Sequence, residues 1–276
     1  MFIQLLSHIL RKYARRRHKK TRPLALAARM WYNTAKGGAC VEKVWFHVDV
    51  NSAFLSWSAL KLLREGQALD LRTVPSAVGG DEEKRHGVVL AKSGPAKKFG
   101  VRTGESLFSA RLKCPQLVVT PPDFDWYVQN SKALIAILGD YTPGVEQYSI
   151  DEAFLDVTPT VVNREHPVRV AQRIQRRVEE LGVTCSIGAG TSKTIAKIAS
   201  DMDKPRGLTV VYPGSERDFL APLPVRVMSG IGASAEEKLK SRGIRTLGQL
   251  ADADLRMLER VFGKLGRVMH VRANGG

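Results

Sequence analysis

Two adjacent carboxylates, Asp151 and Glu152, sit inside the apolar run Tyr148–Val157, YSIDEAFLDV, with Asp156 close behind. A third acid, Asp49, closes another apolar run in Lys43–Phe54, KVWFHVDVNSAF, before a helical pattern begins. Carboxylates in apolar surroundings are costly unless a counter-charge is present, and a metal ion supplies one most simply. Strand ends that each carry acid, far apart in sequence, can line a site with the hard oxygen donors that Mg²⁺ prefers. Neighbouring side chains on a strand point to opposite faces, so Asp151 and Glu152 share a site only if the strand bends or ends there. The plainer reading of the pair is an exposed hairpin tip.

HVDVNSAF followed by YSIDEAFLDV resembles the pair of catalytic motifs of Y-family (translesion) DNA polymerases, in the bacterial DNA polymerase IV branch. LAKSGPAKKFGVRTGE (Leu90–Glu105), AKIASDMDKPRG (Ala196–Gly207) and SGIGASAEEKLKSRGIRTLGQL (Ser229–Leu250) follow the same family in its order. The similarity extends from about Val44 to Gly275. It implies two Mg²⁺ ions bridged or held by Asp49 and Asp151, with Glu152 on the primer side and the Val50 carbonyl as a backbone ligand. Lys97 and Lys204 would meet the triphosphate, and Lys197 is a third candidate near DNA or phosphate. Phe54 falls where the family places its steric gate, with the small Ala53 beside it implying an open site; without the family, Phe54 reads as a core aromatic. Ser229–Arg242 is similar to a helix-hairpin-helix in which the Gly230–Gly232 turn meets a DNA phosphate. Ser234 is expected to cap the following helix, which carries Lys238 and Lys240.

The chain departs from the family in three places. Gly94 and Lys97 stand where many members have Tyr and Arg, so a hydroxyl is lost and charge is kept without the bidentate fork of arginine. Asn51 replaces an acid common just after the first metal ligand.

The elements that would position these residues follow from periodicity. Val44–Val50 reads as a strand; Ala53, Phe54, Trp57, Leu60 and Leu63 mark a helix stopped by Gly66. Strands are expected over Thr73–Val78, Gly87–Ala91, Leu117–Thr120, Tyr148–Val157, Val183–Gly190 and Leu208–Tyr212. Helices are expected from Pro95–Phe99, from Phe124 to Leu138, from Val170 to Leu181 and over Thr191–Met202. The order is an α+β layer. The resemblance makes this a polymerase palm sheet backed by helices (43–51 and 118–212), with a small α/β fingers insertion (52–117) and a helical thumb (213–276). A counterpart of the family's little-finger domain and sliding-clamp peptide is not expected in these residues.

Two other motifs fail on inspection. GAGTSKT (Gly188–Thr194) lacks the Gly that a phosphate-binding P-loop needs directly before its Lys, since Ser192 occupies that place. GGDEE, from Gly79, is one letter from a diguanylate cyclase signature, but its flanks are those of the polymerase motifs.

The 276 residues carry 43 Lys and Arg against 27 Asp and Glu, a net charge of +16. Residues 1–40 hold ten basic residues and no acid, leaving 33 basic against 27 acidic residues elsewhere. Residues 1–42 lie outside the family match and read as an unstructured basic extension, with an arm for nucleic acid or an anionic surface as its functional alternative. Cys40, Cys114 and Cys185 are scattered and indicate neither zinc nor a disulfide framework. No apolar run approaches membrane-spanning length. The expected protein is a monomeric bacterial cytoplasmic enzyme without a membrane partner, taking primer–template DNA and dNTP. A truncated, non-catalytic DNA-binding remnant is the alternative.

Overall fold

The computed structural model describes residues 43–80, 87–162 and 166–276. The basic extension, Cys40 and the acidic residues of GGDEE lie outside the described residues. In chain order the strands are β1 (Trp45–Val50), β2 (Ser76–Gly79), β3 (Val89–Lys92), β4 (Val118–Thr120), β5 (Val145–Gln147), β6 (Glu152–Asp156), β7 (Cys185–Gly190) and β8 (Leu208–Val210). They form a five-stranded sheet, β5-β6-β1-β7-β8, and a three-stranded sheet, β3-β2-β4. β7 pairs parallel with β8, Ile187 opposite Leu208. β2 runs antiparallel to β3 and parallel to β4. The mixed pairing accords with the α+β reading.

The helices are α1 (Ala53–Arg64), α2 (Gly94–Lys98), α3 (Leu107–Lys113), α4 (Phe124–Gly139), α5 (Thr158–Val162) and α6 (Pro167–Glu180). Then come α7 (Lys193–Ser200), α8 (Glu216–Leu220), α9 (Ala233–Lys240), α10 (Leu247–Ala251), α11 (Leu255–Phe262) and α12 (Lys264–Ala273). Two compact units emerge: one from residues up to His47, Phe154–Gln172 and Ile187–Gly276, the other from Val48–Ala153 and Arg173–Ser186. The division passes through β1, β6 and β7.

In the second unit, α1 ends where Gly66 takes φ +91°, a conformation that side chains resist. α4 starts at Asp123, whose carboxylate accepts the Trp126 N–H at 3.0 Å. The Trp126 indole then donates to the Trp57 carbonyl at 2.9 Å, joining α4 to α1. The three-stranded sheet has its own core of Ala77, Val89, Leu107, Ala110 and Leu117. Ser106 caps α3, which the hydrophobic spacing does not announce, by accepting the Ser109 N–H at 3.1 Å.

In the first unit, α7 lies hard against β7. A Cβ on Gly188 would stand 2.0 Å from the Ala196 carbonyl, so only glycine permits this approach. The C-terminal helices close around Phe219, Leu220, Leu239, Leu247, Leu250, Leu258 and Met269. Each fully buried leucine there contributes about 1.5–3 kcal/mol. Thr246 and Gln249 form a reciprocal capping box at the start of α10.

Candidate active site

β1 is buried along nearly its whole length, as its apolar sequence requires of a central strand. Alternation puts Trp45, His47 and Asp49 on one face of that strand. Asp49 is buried, with 8% of its surface exposed. Tyr148–Val157 is not one strand: β6 begins only at Glu152, and Ser149–Asp151 form a bend. The N–H groups of Tyr148 and Ser149 both donate to the Glu152 carbonyl, at 2.9 and 3.1 Å, which closes that bend. Asp151 therefore stands just outside the strand, free of the alternation that would turn it away from Glu152.

The Val50 N–H donates to the Asp151 carbonyl at 3.0 Å, so the two acid-bearing strand ends lie side by side. Ser149 Oγ donates to Asp151 Oδ1 at 2.7 Å and orients the carboxylate. Asp156, the remaining acid of the run, accepts the Thr158 N–H at 3.1 Å and its hydroxyl at 2.5 Å, a local turn closure. Every donor in the set Asp49, Asp151, Glu152 and Val50 carbonyl is an oxygen, which suits a hard cation. Among the described residues, however, no three His, Cys, Asp or Glu side chains are gathered into a metal-holding group.

Asn51, where the family pattern has an acid, is held at both ends of its amide. Its amide donates to Ser186 Oγ at 2.9 Å and accepts from Thr184 Oγ1 at 3.0 Å. A carboxylate has no donor for the first of these bonds. Its N–H also donates to the Thr184 carbonyl at 2.8 Å. Beside this clamp, burial pushes the Cys185 thiol up to about 12, with Glu179 and Asp49 adding to the shift, so it stays protonated and inert.

Phe54, in the first turn of α1, is half-buried. Its ring stacks on Tyr127 with centroids 4.7 Å apart and planes 17° from parallel, and meets Phe124 edge-on at 6.2 Å. The Tyr127 hydroxyl lies 2.6 Å from Ser58 Oγ. Phe54 is thus braced by a buried aromatic while part of its ring stays open.

Lys97 is exposed on α2, whose N-cap Ser93 accepts the Ala96 N–H at 3.1 Å. A Cβ on Gly94 would meet nothing within 4 Å, so space does not force glycine there. Lys92, the last residue of β3, belongs to none of the positions that the sequence motifs single out. It donates to Thr103 Oγ1 at 3.0 Å, and burial, then the Lys97 charge, pull its pKa below the usual lysine value. The first unit carries Lys204, ion-paired with Asp201 at 2.7 Å, and Lys197, half-buried on α7. In the C-terminal helices, Gly230 takes φ +96°, and Lys238 is exposed on α9. The cap of α9 is Gly232, not Ser234, which lies within the first turn and makes no capping bond. A glycine whose N–H heads a helix brings backbone close to an anion without a side chain in the way.

Residues 48–201 match the family described as IMS, impB/mucB/samB. The chain is 46% identical over 236 residues to DNA polymerase IV of Clostridium acetobutylicum, covering 85% of this chain and 59% of that protein. It is 40% identical over 237 residues to DNA polymerase IV 1 of Bacillus subtilis, covering 85% and 55% respectively. The chain therefore spans less than two thirds of the length of these relatives. Among solved structures, DinB from Sulfolobus solfataricus is similar at TM-score 0.73 and 27% identity, covering 83% of this chain and 66% of that one. An insertion ternary complex of Dbh DNA polymerase is similar at TM-score 0.75 and 26% identity, covering 84% and 67%.

Proposed function

The chain belongs to the Y-family DNA polymerases of the impB/mucB/samB group, and on that premise we propose that it is a DNA-directed DNA polymerase of the translesion type. It would add dNMP to a primer 3′-hydroxyl during DNA damage tolerance in the bacterial cytoplasm. The observation that carries this reading is the Val50–Asp151 backbone bond of 3.0 Å, which sets two acid-bearing strand ends side by side. Asp49, Asp151, Glu152 and the Val50 carbonyl would hold two Mg²⁺ ions. When bound, such ions lower the pKa of the attacking hydroxyl and neutralise charge on the leaving pyrophosphate.

The protein's own groups supply position and charge. Ser149 holds the Asp151 carboxylate at 2.7 Å, so it is oriented before substrate arrives. Lys97 and Lys204 bind the triphosphate as point charges, with Lys92 adding positive potential behind Lys97. Phe54, braced by Tyr127, presents a ring where a ribose 2′-hydroxyl would project. Gly230, Gly232 and Lys238 meet the DNA backbone without reading its sequence.

Primer extension on undamaged and lesion-bearing templates, with a Mg²⁺-omitted control, tests the reading. Metal-dependent extension across the lesion is expected. DNA binding without extension under any metal condition would return the chain to a non-catalytic DNA-binding role.

A further inference from the structure

α3 folds Leu107 and Ala110 into the core of the three-stranded sheet and turns Phe108 and Leu112 outward. Four residues apart on a helix, these two side chains share one face. They are the most exposed large apolar residues among the described residues. Phe99, which ends α2, is exposed as well. The two places adjoin, because Lys113, next to Leu112, donates to the carbonyl of Gly100, next to Phe99, at 3.4 Å. Single exposed apolar residues are ordinary on a protein surface, but a group of them marks a contact site.

The charge around them has one sign. Among the described residues, 87–117 contain six Lys and Arg, at positions 92, 97, 98, 102, 111 and 113, against the single acid Glu105. That acid is already engaged inside the module. It is ion-paired with Lys113 and accepts the Arg102 N–H at 2.8 Å. Lys97, Lys98 and Arg102 all stand at the surface. The surface therefore suits a polyanion that also presents flat apolar faces.

Nucleic acid meets that description in one form. A duplex buries its base faces in the stack and shows its phosphates outside. A single strand carries a phosphate at every step and leaves its bases open to aromatic side chains. An anionic lipid surface would also attract the cations, but its grip scales with buried apolar area. α3 offers it two side chains over seven residues.

We propose that Phe108, with Leu112 beside it and Lys98 and Phe99 at the end of α2, forms a binding surface for single-stranded DNA. The Phe108 ring stacks on a base. The inference rests on the polymerase reading for its choice of DNA, since the template of a primer–template is single-stranded beyond the primer end. Stacking accepts any base, so the surface holds the strand without reading it.

The full chain is titrated against a labelled oligothymidine of about 12 nucleotides, within the ~4–16 that one single-strand-binding module covers. A blunt duplex of the same length, and vesicles with and without anionic lipid, are measured beside it. Phe108→Ala, Phe108→Leu, Phe108→Trp and Lys98→Gln are compared with the wild type, each with its melting midpoint. Because both side chains lie at the surface, all four should melt with the wild type.

Phe108→Ala should weaken binding of the single strand about fivefold or more, the loss of one base–aromatic stack. Phe108→Leu keeps an apolar side chain without a ring and should lose nearly as much. Phe108→Trp should bind as well as the wild type. Affinity for the duplex should not change in any of the three. Lys98→Gln should lower the slope of log affinity against log salt by about 0.7 on the single strand.

Unchanged single-strand affinity in Phe108→Ala would overturn the proposal, and so would an equal loss on the duplex. Wild-type binding by Phe108→Leu would do the same, because any apolar contact would then suffice, as with a protein partner. A loss confined to the anionic vesicles would assign the surface to a membrane and overturn it. If the chain extends no primer but binds the oligothymidine through Phe108, the polymerase reading falls and this surface stands. If it extends primers and Phe108→Ala binds the single strand as the wild type does, the surface falls alone.

Discussion

The N–H of Val50 and the carbonyl of Asp151 are joined at 3.0 Å, although one hundred residues of chain separate them. The bond belongs to the backbone and holds whatever the side chains do. It fixes the spacing between the residue after Asp49 and the residue before Glu152, so the acidic ends are placed by folding and only side-chain torsions remain to be set. Preorganisation of this kind lowers the cost of gathering like charges at the moment of reaction.

Asp151→Asn keeps that backbone bond and removes the charge. Nucleotide addition should fall by about a hundredfold or more, the usual loss when one electrostatic partner of a developing charge is removed. DNA affinity and the melting midpoint should change little. Single-turnover incorporation checks this, and a near-native rate would remove Asp151 from the reacting centre.

Phe54→Ala separates a gate from a core ring. Truncating a half-buried phenylalanine that stacks on Tyr127 should cost about 1–3 kcal/mol, less than the ~3–5 of a fully buried one. Discrimination between dNTP and rNTP should fall at the same time. Destabilisation with an unchanged sugar ratio would leave Phe54 a packing residue.

Gly188→Ala probes the approach of α7 to β7. The new methyl would sit 2.0 Å from the Ala196 carbonyl, which no side-chain rotation relieves. A loss of about 1–3 kcal/mol is expected, at the upper end for overpacking. Chemical denaturation measures it, and a neutral effect would mean that helix and strand part easily.

Asp70 gives a pH-dependent term. Side-chain hydrogen bonds from Arg72 hold its carboxyl below the usual range against the opposing effect of burial, and Arg72 also donates to the Gly182 carbonyl at 2.8 Å. A depressed carboxyl stabilises the fold above its unfolded pKa of about 3.9, and that contribution is lost as pH falls through the folded value. Asp70→Asn should therefore melt below the wild type at neutral pH, and the two curves should converge below about pH 4. A gap that persists in acid would assign the effect to something other than the charge.

How much of this was legible in the sequence depends on the range of each interaction. Asp49, Asp151 and Glu152 announce themselves locally, as acids in apolar runs, and the helix stop at Gly66 is a single-residue signal. α3 escaped because Phe108 and Leu112 lie exposed, at 72% and 70%, which blurs the apolar stripe. Tyr148 and Ile150 look like strand residues by type, whereas the bend before β6 is made by two N–H groups sharing one carbonyl. The Asn51 clamp and the His47–Ser200 bond join residues 133 and 153 positions apart. No window of sequence contains them. Ser234 resembled a cap by type, yet Gly232 takes the extended backbone of the cap position, with ψ 178°.

Lys238 offers the last test, on DNA binding by the C-terminal helices. It is exposed on α9, a helix headed by Gly232 and preceded by the left-handed Gly230. Backbone N–H groups and one lysine can hold a phosphate, but only the lysine carries a net charge that displaces a counterion. Lys238→Ala should therefore lower the slope of log affinity against log salt by about 0.9 on duplex DNA. The loss should be the same for unrelated sequences, since phosphate contacts carry no base information. The fold should be untouched, because the side chain lies outside the core around Leu239 and Leu258. Anisotropy titrations of two unrelated duplexes across a salt series provide the measurement. An unchanged slope would place this helix away from the DNA, and a loss confined to one sequence would mean that Lys238 reads bases instead.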